Sequence, residues 1–341
     1  MRKDNKPTDE QLIELYQAAS DFKKAEPWKW LYDADLICVE NPKDKMIGYC
    51  SVMGRAGEHY ALGVYLGDEG LSGFCDLMEN ADTIPYHQAL HFQDCIMCSF
   101  EDRELLSKQD REEIKALGFS FRGRNAWPRF RRLKPGYYPW FINQDECVFL
   151  TYALRQTLFA LHKVIDGQLR MDIERGETIL RHSKEKDGKL EWYSKEILLD
   201  FPTVIYNPVE INDDLLIQRI KKAEGMGNAS LQVDICYLPS PVQEKRGARP
   251  YFPRIFILVE PKSGLVVDFH MYQSINDDAD VALNRLIGFC LEKGVPREIQ
   301  VRSAKMAAIL DDFCQKTDIK LKMVKSLLSI DQVLEEMADR F

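Results

Sequence analysis

The hydrophobic pattern falls into two rhythms along the chain. In the first half, helical spacing is interrupted by short strand-like runs. Thr8 and Gln11 open a helix as a capping box, with Leu12, Leu15, Tyr16, Ala19 and Phe22 as its apolar stripe. Runs near 35–40, 46–53 and 59–66 predict strands, turned by Asn41-Pro42-Lys43-Asp44 and then by Gly54 and Gly57. Gly67-Asp68-Glu69-Gly70 starts a short helix to about Met78. A strand covers Cys95–Phe100, Ser107 caps a helix, and a long helix runs from Asn143 to about Ile165. That last helix places Cys147, Leu150, Thr151, Leu154, Leu158, Leu161 and Ile165 on one face.

The pattern fades between about Asp166 and Glu196 into mixed charge, including Arg170, Asp172, Glu174, Arg175, Lys184, Glu185, Lys186, Asp187 and Gly188. The second rhythm is cleaner. Strands are predicted at 230–238, 253–260 and 264–271, the last two joined by Pro261-Lys262-Ser263-Gly264. A helix at 278–292, a strand at 298–302, a helix at 304–315, a strand at 319–324 and a helix at 330–339 follow. The order βββαβαβα predicts an antiparallel meander continued by right-handed crossovers into a mixed sheet. The expected organisation is a small mixed α+β N-terminal domain of unknown function over 1–166, a linker over 167–197, and a second domain over 198–341.

Composition narrows the function classes. At 341 residues, 45% hydrophobic and 29% charged, the chain has room for two folded domains and is not a disordered or collagen-like polymer. No run approaches the roughly 20 apolar residues that span a bilayer, so no membrane partner is expected. The polar start Met1-Arg2-Lys3-Asp4-Asn5-Lys6 lacks the apolar core of a signal peptide, and the 9 cysteines are scattered. Reduced, mostly buried thiols in a cytoplasmic protein are the expectation. A net charge of −8 argues against a protein that coats nucleic acid along its whole surface.

The second-half order is also that of a ribonuclease H-like domain. Leu231-Gln232-Val233-Asp234-Ile235-Cys236-Tyr237-Leu238-Pro239 resembles the first strand of a transposase or integrase core. Phe256–Val267 resembles its second and third strands, and Gly294-Val295-Pro296-Arg297-Glu298-Ile299 resembles the approach to its fourth. The resemblance covers roughly 229–340 and implies carboxylates converging on two divalent metals that activate water and stabilise a leaving oxygen. Asp234 matches the first carboxylate. The second belongs after the fourth strand, where this chain reads Arg302-Ser303-Ala304, and the last helix offers Glu335 or Glu336 for the third. A cation at the central position implies a site without metal, and Arg302 could pair with Asp234 and neutralise it. Both halves together resemble an uncharacterised bacterial two-domain family with a domain of unknown function at each end. The matching stretches include Trp28-Lys29-Trp30-Leu31-Tyr32-Asp33, Gly57-Glu58-His59-Tyr60-Ala61-Leu62 and Phe121-Arg122-Gly123-Arg124-Asn125-Ala126-Trp127-Pro128.

One segment departs from the acidic average. Between Ile114 and Gln144 stand Lys115, Arg122, Arg124, Arg129, Arg131, Arg132 and Lys134, with no acid. Eight aromatics, Trp127 among them, are interleaved. Arginines beside exposed rings hold phosphates and catch unstacked bases. The competing reading is a half-buried strand pair, with rings in the core and arginines paired to acids elsewhere. His87, His91, Cys95 and Cys98 have zinc-ligand types, but a strand at Cys95–Phe100 sends the two thiols to opposite faces. Gly67–Gly73 could cradle phosphate at a helix start, yet it carries two acids and no base. Glu58-His59 and Glu101-Asp102-Arg103 read as structural groups.

These readings combine into a non-catalytic binding or adaptor protein with a degenerate ribonuclease H-like domain and no cofactor or metal. Its partner would be a protein or a second copy of the chain. One alternative is a divergent metal-dependent nuclease or phosphotransferase using Asp234, Asp268 and Glu335. The other is a nucleic-acid-binding protein using Arg122, Arg124, Arg129, Arg131, Arg132, Lys134 and Trp127.

Overall fold

Thr8 caps α1 (Asp9–Ala25) reciprocally. Its hydroxyl accepts the Gln11 N–H at 3.3 Å, and the Gln11 side chain accepts the Thr8 N–H at 2.9 Å. The computed structural model describes residues 5–80, 84–202 and 206–338. Strands β1 (Ile37–Glu40), β2 (Ile47–Met53) and β3 (Tyr60–Leu66) form an antiparallel meander. Next come α2 (Gly67–Glu79), α3 (Tyr86–Ala89), β4 (Cys95–Glu101), α4 (Lys108–Ala116), β5 (Trp127–Lys134) and β6 (Tyr137–Trp140). Helix α5 (Gln144–Ile165) and the hairpin β7 (Glu177–Lys186) and β8 (Lys189–Leu198) complete this half.

The chain divides into two units. The first holds the described residues within 1–79, 92–135 and 139–203; the second holds those within 80–91, 136–138 and 204–341. The first unit is built on an eight-stranded sheet of order β6-β5-β4-β3-β2-β1-β7-β8. Leu15 and Phe22 of α1 and Leu150 and Leu154 of α5 bury against Val39, Val52, Leu62 and Val64 of the sheet. The apolar stripes predicted for both helices are the faces that close this core, except for Ile165 at the end of α5, which is exposed.

The glycines at the start of α2 serve close packing. A Cβ on Gly73 would lie 2.0 Å from the Phe92 carbonyl oxygen, so the helix can sit there only without a side chain. Gly73→Ala should destabilise the first unit by about 1–3 kcal/mol through overpacking. Thermal unfolding checks this, and an unchanged melting temperature would contradict it.

Residues 167–197, expected as a linker, instead supply most of a hairpin of the first unit's sheet. Strand β7 pairs in parallel with β1 through Cys38↔Leu180 and antiparallel with β8. Strand β8 is a sheet edge exposed on nearly every residue, so its sequence has no inward-facing rhythm to detect. The turn is Asp187-Gly188, both at positive φ (51° and 71°), the dipeptide and geometry of a two-residue hairpin turn.

The second unit contains α6 (Asp214–Lys221), β9 (Ser230–Tyr237), β10 (Arg254–Glu260), β11 (Leu265–Tyr272) and α7 (Asp278–Lys293). It ends with β12 (Glu298–Val301), α8 (Ala304–Lys316), β13 (Lys320–Met323) and α9 (Leu328–Ala338). The sheet order is β11-β10-β9-β12-β13. The first three strands are antiparallel, and β12 and β13 run parallel to β9. Leu231, Val233, Leu258, Ile299 and Val301 bury against α7 and α8, while Cys236, Ile255, Ile257 and Val259 bury against α9. This is the ribonuclease H-like arrangement, an open mixed sheet with helices on both faces. Among the described residues no helix is long and apolar enough to cross a membrane.

Candidate functional site

Side chains alternate across a strand, and β9 shows what that does to a carboxylate. Leu231 and Val233 enter the α7/α8 core, while Cys236 enters the α9 side. Asp234 shares the face of Cys236, near the strand's midpoint, where it is 3% exposed. One Oδ accepts the Ile235 N–H at 2.9 Å. The other accepts Nε of Arg302 at 2.7 Å, with Nη2 of the same guanidinium 2.6 Å away. Arg302 follows β12 directly, and the Ser303 hydroxyl after it accepts the Met306 N–H at 3.2 Å to cap α8. The Arg302-Ser303 pair thus delivers a cation and then starts a helix. From α9, Asp331 accepts Nη1 of Arg302 at 2.5 Å.

The result is an Asp234–Arg302–Asp331 triad, buried at Asp234 and partly open to solvent at Asp331. Burial pushes the Asp234 carboxyl above the usual carboxylate range, and the adjacent Arg302 charge pulls it back. Burial also opposes the Arg302 charge, but Asp234 and Asp331 outweigh it and hold the guanidinium firmly protonated. His87 of α3 belongs to the same unit. Burial, reinforced by Arg302, lowers its pKa against the pull of Asp331 and Glu335.

The other two carboxylates singled out from the sequence do not join this group. In the sheet register Asp234 stands opposite Ile257, whereas Asp268 stands opposite Leu258, so their side chains leave opposite faces. Asp268 accepts Nε of Arg285 from α7 at 2.8 Å, with a second bond to Nη2. Glu335 is exposed on α9, one turn beyond Asp331. Among the described residues no group of three or more His, Cys, Asp or Glu could hold a metal ion.

A second buried network lies at the α7 N-terminus, and sequence reading missed it. Arg254 of β10 donates Nε and Nη2 to the two oxygens of Asp278 at 2.7 and 2.6 Å. The Tyr272 hydroxyl and Lys305 Nζ also donate to Asp278, each at 2.6 Å. The Arg254 guanidinium lies 4.4 Å from the centre of the Tyr237 ring, and His91 lies 4.0 Å from it, centre to centre. Gln88 replaces a strand at the end of β9: its amide donates to the Tyr237 carbonyl at 2.7 Å and accepts the Tyr237 N–H at 3.1 Å.

His91 is held neutral. Nδ1 accepts the Gly136 N–H at 3.3 Å, and burial, helped by the Arg254 charge, pushes the imidazole pKa down to about 3. The unfolded chain gains a proton below pH 6.5 that the folded protein refuses until about pH 3. Stability is therefore intact above the unfolded pKa and falls with acidity, by about 1.4 kcal/mol per pH unit. Relative to His91→Leu, the wild-type protein should lose about 2 kcal/mol between pH 6.5 and about 4.5. Urea denaturation across that window checks this; parallel pH profiles for the two proteins would contradict it.

The basic-aromatic segment of the first unit is largely committed internally. Phe119, Phe121 and Trp127 pack on the core that contains Phe130. Arg131 donates to both oxygens of Asp110 at 2.9 and 2.6 Å and lies over Phe141. Arg132 pairs with Asp94 and, at 3.3 Å, with Glu146. Arg129 lies 3.7 Å from Glu101. Asp102 accepts the Asn125 N–H at 2.7 Å, with Arg124 only 3.9 Å away across water-exposed space. Arg122, Arg124 and Lys134 are exposed. Arg131 and Arg132 are thus not available to an external anion: opposite charge close to β5 has taken their guanidinium groups. Cys95 and Cys98 are buried free thiols of β4, and burial raises both, Cys95 to about 12. They belong to the first unit, and His87 and His91 to the second.

A ribonuclease H-like frame with an arginine-closed acid position is the class this geometry defines. Residues 13–181 match a domain of unknown function, DUF7309, and residues 216–338 match another, DUF6930. A search of curated proteins gave no match. Among solved structures, a simian T-cell lymphotropic virus intasome bound to a PP2A regulatory subunit shares 16% identity over 33% of this chain and 40% of its own, with a TM-score of 0.26. The magnesium-bound HTLV-2 integrase catalytic core in its dimeric form shares 16% over 29% and 63%, with a TM-score of 0.22. Its trimeric form shares 13% over 34% and 84%, with a TM-score of 0.24. The fold assignment rests on strand order and register rather than on these likenesses.

Proposed function

We propose that this protein is a non-catalytic binding or adaptor protein whose C-terminal unit keeps a ribonuclease H-like frame without a metal centre. The observation supporting it is Arg302, which donates to Asp234 at 2.7 Å and to Asp331 at 2.5 Å. Two-metal catalysis gathers carboxylates around two divalent cations. Here a guanidinium built into the chain takes the place of those cations between the acids. Its charge is permanent, and its Nε and Nη1 donors are committed to the two carboxylates. The Asp268–Arg285 pair on the opposite face supports the same reading, because it removes a further carboxylate from any metal site.

The test is a cleavage assay on the full chain with labelled single- and double-stranded DNA and RNA, in Mg²⁺ and in Mn²⁺. The expected result is no cleavage above that of Asp234→Ala. Cleavage that Asp234→Ala abolishes would overturn the proposal in favour of a metal-dependent nuclease.

A further inference from the structure

Four strands end the two sheets, and three of them carry features that discourage pairing with another chain. Strand β13 is four residues long with Lys320 and Lys322, and β6 contains Pro139. Strand β8 carries Lys189, Glu191, Lys195 and Glu196. Charge, proline and shortness are the usual protections of a sheet edge. Strand β11 differs. It runs Leu265–Tyr272 with Asp268 as its single acid and with no lysine, arginine or proline. Among the described residues no strand pairs with its outer side. Past an irregularity where Leu258 gives way to Val259, Asp268–Tyr272 continues in regular register on β10. Phe269 is 54% exposed and Met271 56% exposed on this strand. They border an apolar groove of about 680 Å³, also lined by Leu238, Ile255 and Met337.

We infer that β11 is a self-association edge, along which a second copy of this chain adds antiparallel to make one continuous ten-stranded sheet. Symmetry restricts the register, and the exposed Phe269 ring favours one. A two-fold axis normal to the sheet keeps each strand's faces aligned, so one residue must stand opposite its own counterpart. Centring on Asp268 would oppose two carboxylates across the axis. Centring on Phe269 sets ring against ring on the α9 side and places Asp268 of each copy opposite His270 of the other on the α7 side. Aromatic pairs and opposite-charge or hydrogen-bonding pairs are the cross-strand contacts that stabilise antiparallel neighbours. Backbone hydrogen bonds supply the affinity and the groove receives apolar side chains, as in strand addition generally. This inference goes beyond the binding role proposed above and stands whether or not the acid site is active.

The experiment is light scattering coupled to size exclusion on the full chain, wild type beside Phe269→Asp. The expected result is a dimer for the wild type and a monomer for Phe269→Asp. Tyr193→Asp, on the exposed β8 edge, should remain dimeric. A monomeric wild type, or a Phe269→Asp variant that stays dimeric, overturns the inference. Phe269→Cys gives a second readout that does not depend on weakening the fold. Treated with diamide, it should cross-link to a covalent dimer that Tyr193→Cys does not form, and failure to cross-link also overturns the assignment.

Discussion

Arg302→Met is expected to cost the C-terminal unit about 3–5 kcal/mol, because it leaves the Asp234 carboxylate buried without its counter-ion. Asp234 is 3% exposed, and among the described residues the Ile235 N–H would be its one remaining hydrogen-bond donor. Asp331 is less affected, since its side chain keeps 22% exposure and can turn to water. Asp234→Val added to Arg302→Met should recover most of the loss, because apolar replacement of a whole buried pair is close to neutral. Urea denaturation of the two single variants and the double variant measures this coupling directly. Additive losses would mean that the pair does not act as a unit.

Asp278→Ala is expected to be at least as damaging, about 3–5 kcal/mol, for a related reason. Asp278 is 2% exposed and accepts from Arg254, Tyr272 and Lys305 at once. Removing it strands a buried guanidinium and a half-buried phenol, while Lys305 is 33% exposed and can reach solvent. Asp278→Asn should fall between the wild type and Asp278→Ala, since one oxygen acceptor survives. Adding Arg254→Met to Asp278→Ala should restore part of the stability. Chemical denaturation ranks the four proteins; an Asp278→Ala variant as stable as the wild type would contradict the network's role.

Much of the second unit was legible in the sequence. Short continuous apolar runs such as Phe256–Val259 before the turn Pro261–Gly264 read as buried strands, and the helices after β11, β12 and β13 have single apolar faces. The Asp234–Arg302 pairing was readable too, because an arginine stood where the resemblance called for an acid. Asp331 was not readable. It lies one helical turn before Glu335, and only the packing of α9 decides which turn reaches the guanidinium. The β7–β8 hairpin escaped because an edge strand open on both faces has no alternation, although Asp187-Gly188 marked its turn. The ion pairs of the seven-base segment were illegible for a different reason. Net charge along a chain does not show the acids that tertiary structure brings near, and Asp94, Asp110 and Glu146 all lie outside or across that run. Gln88 and His91 carry no sequence signal for joining the second unit, since they come from the middle of the first half of the chain.

In the function proposed above, the Arg302 guanidinium holds the position of a divalent cation. Crystals of the full chain soaked in manganese chloride, with anomalous data collected at the manganese edge, test it most directly. No anomalous peak is expected between Asp234 and Asp331, with Arg302 still bonded to both. A manganese ion held by those two carboxylates, with Arg302 displaced, would contradict it.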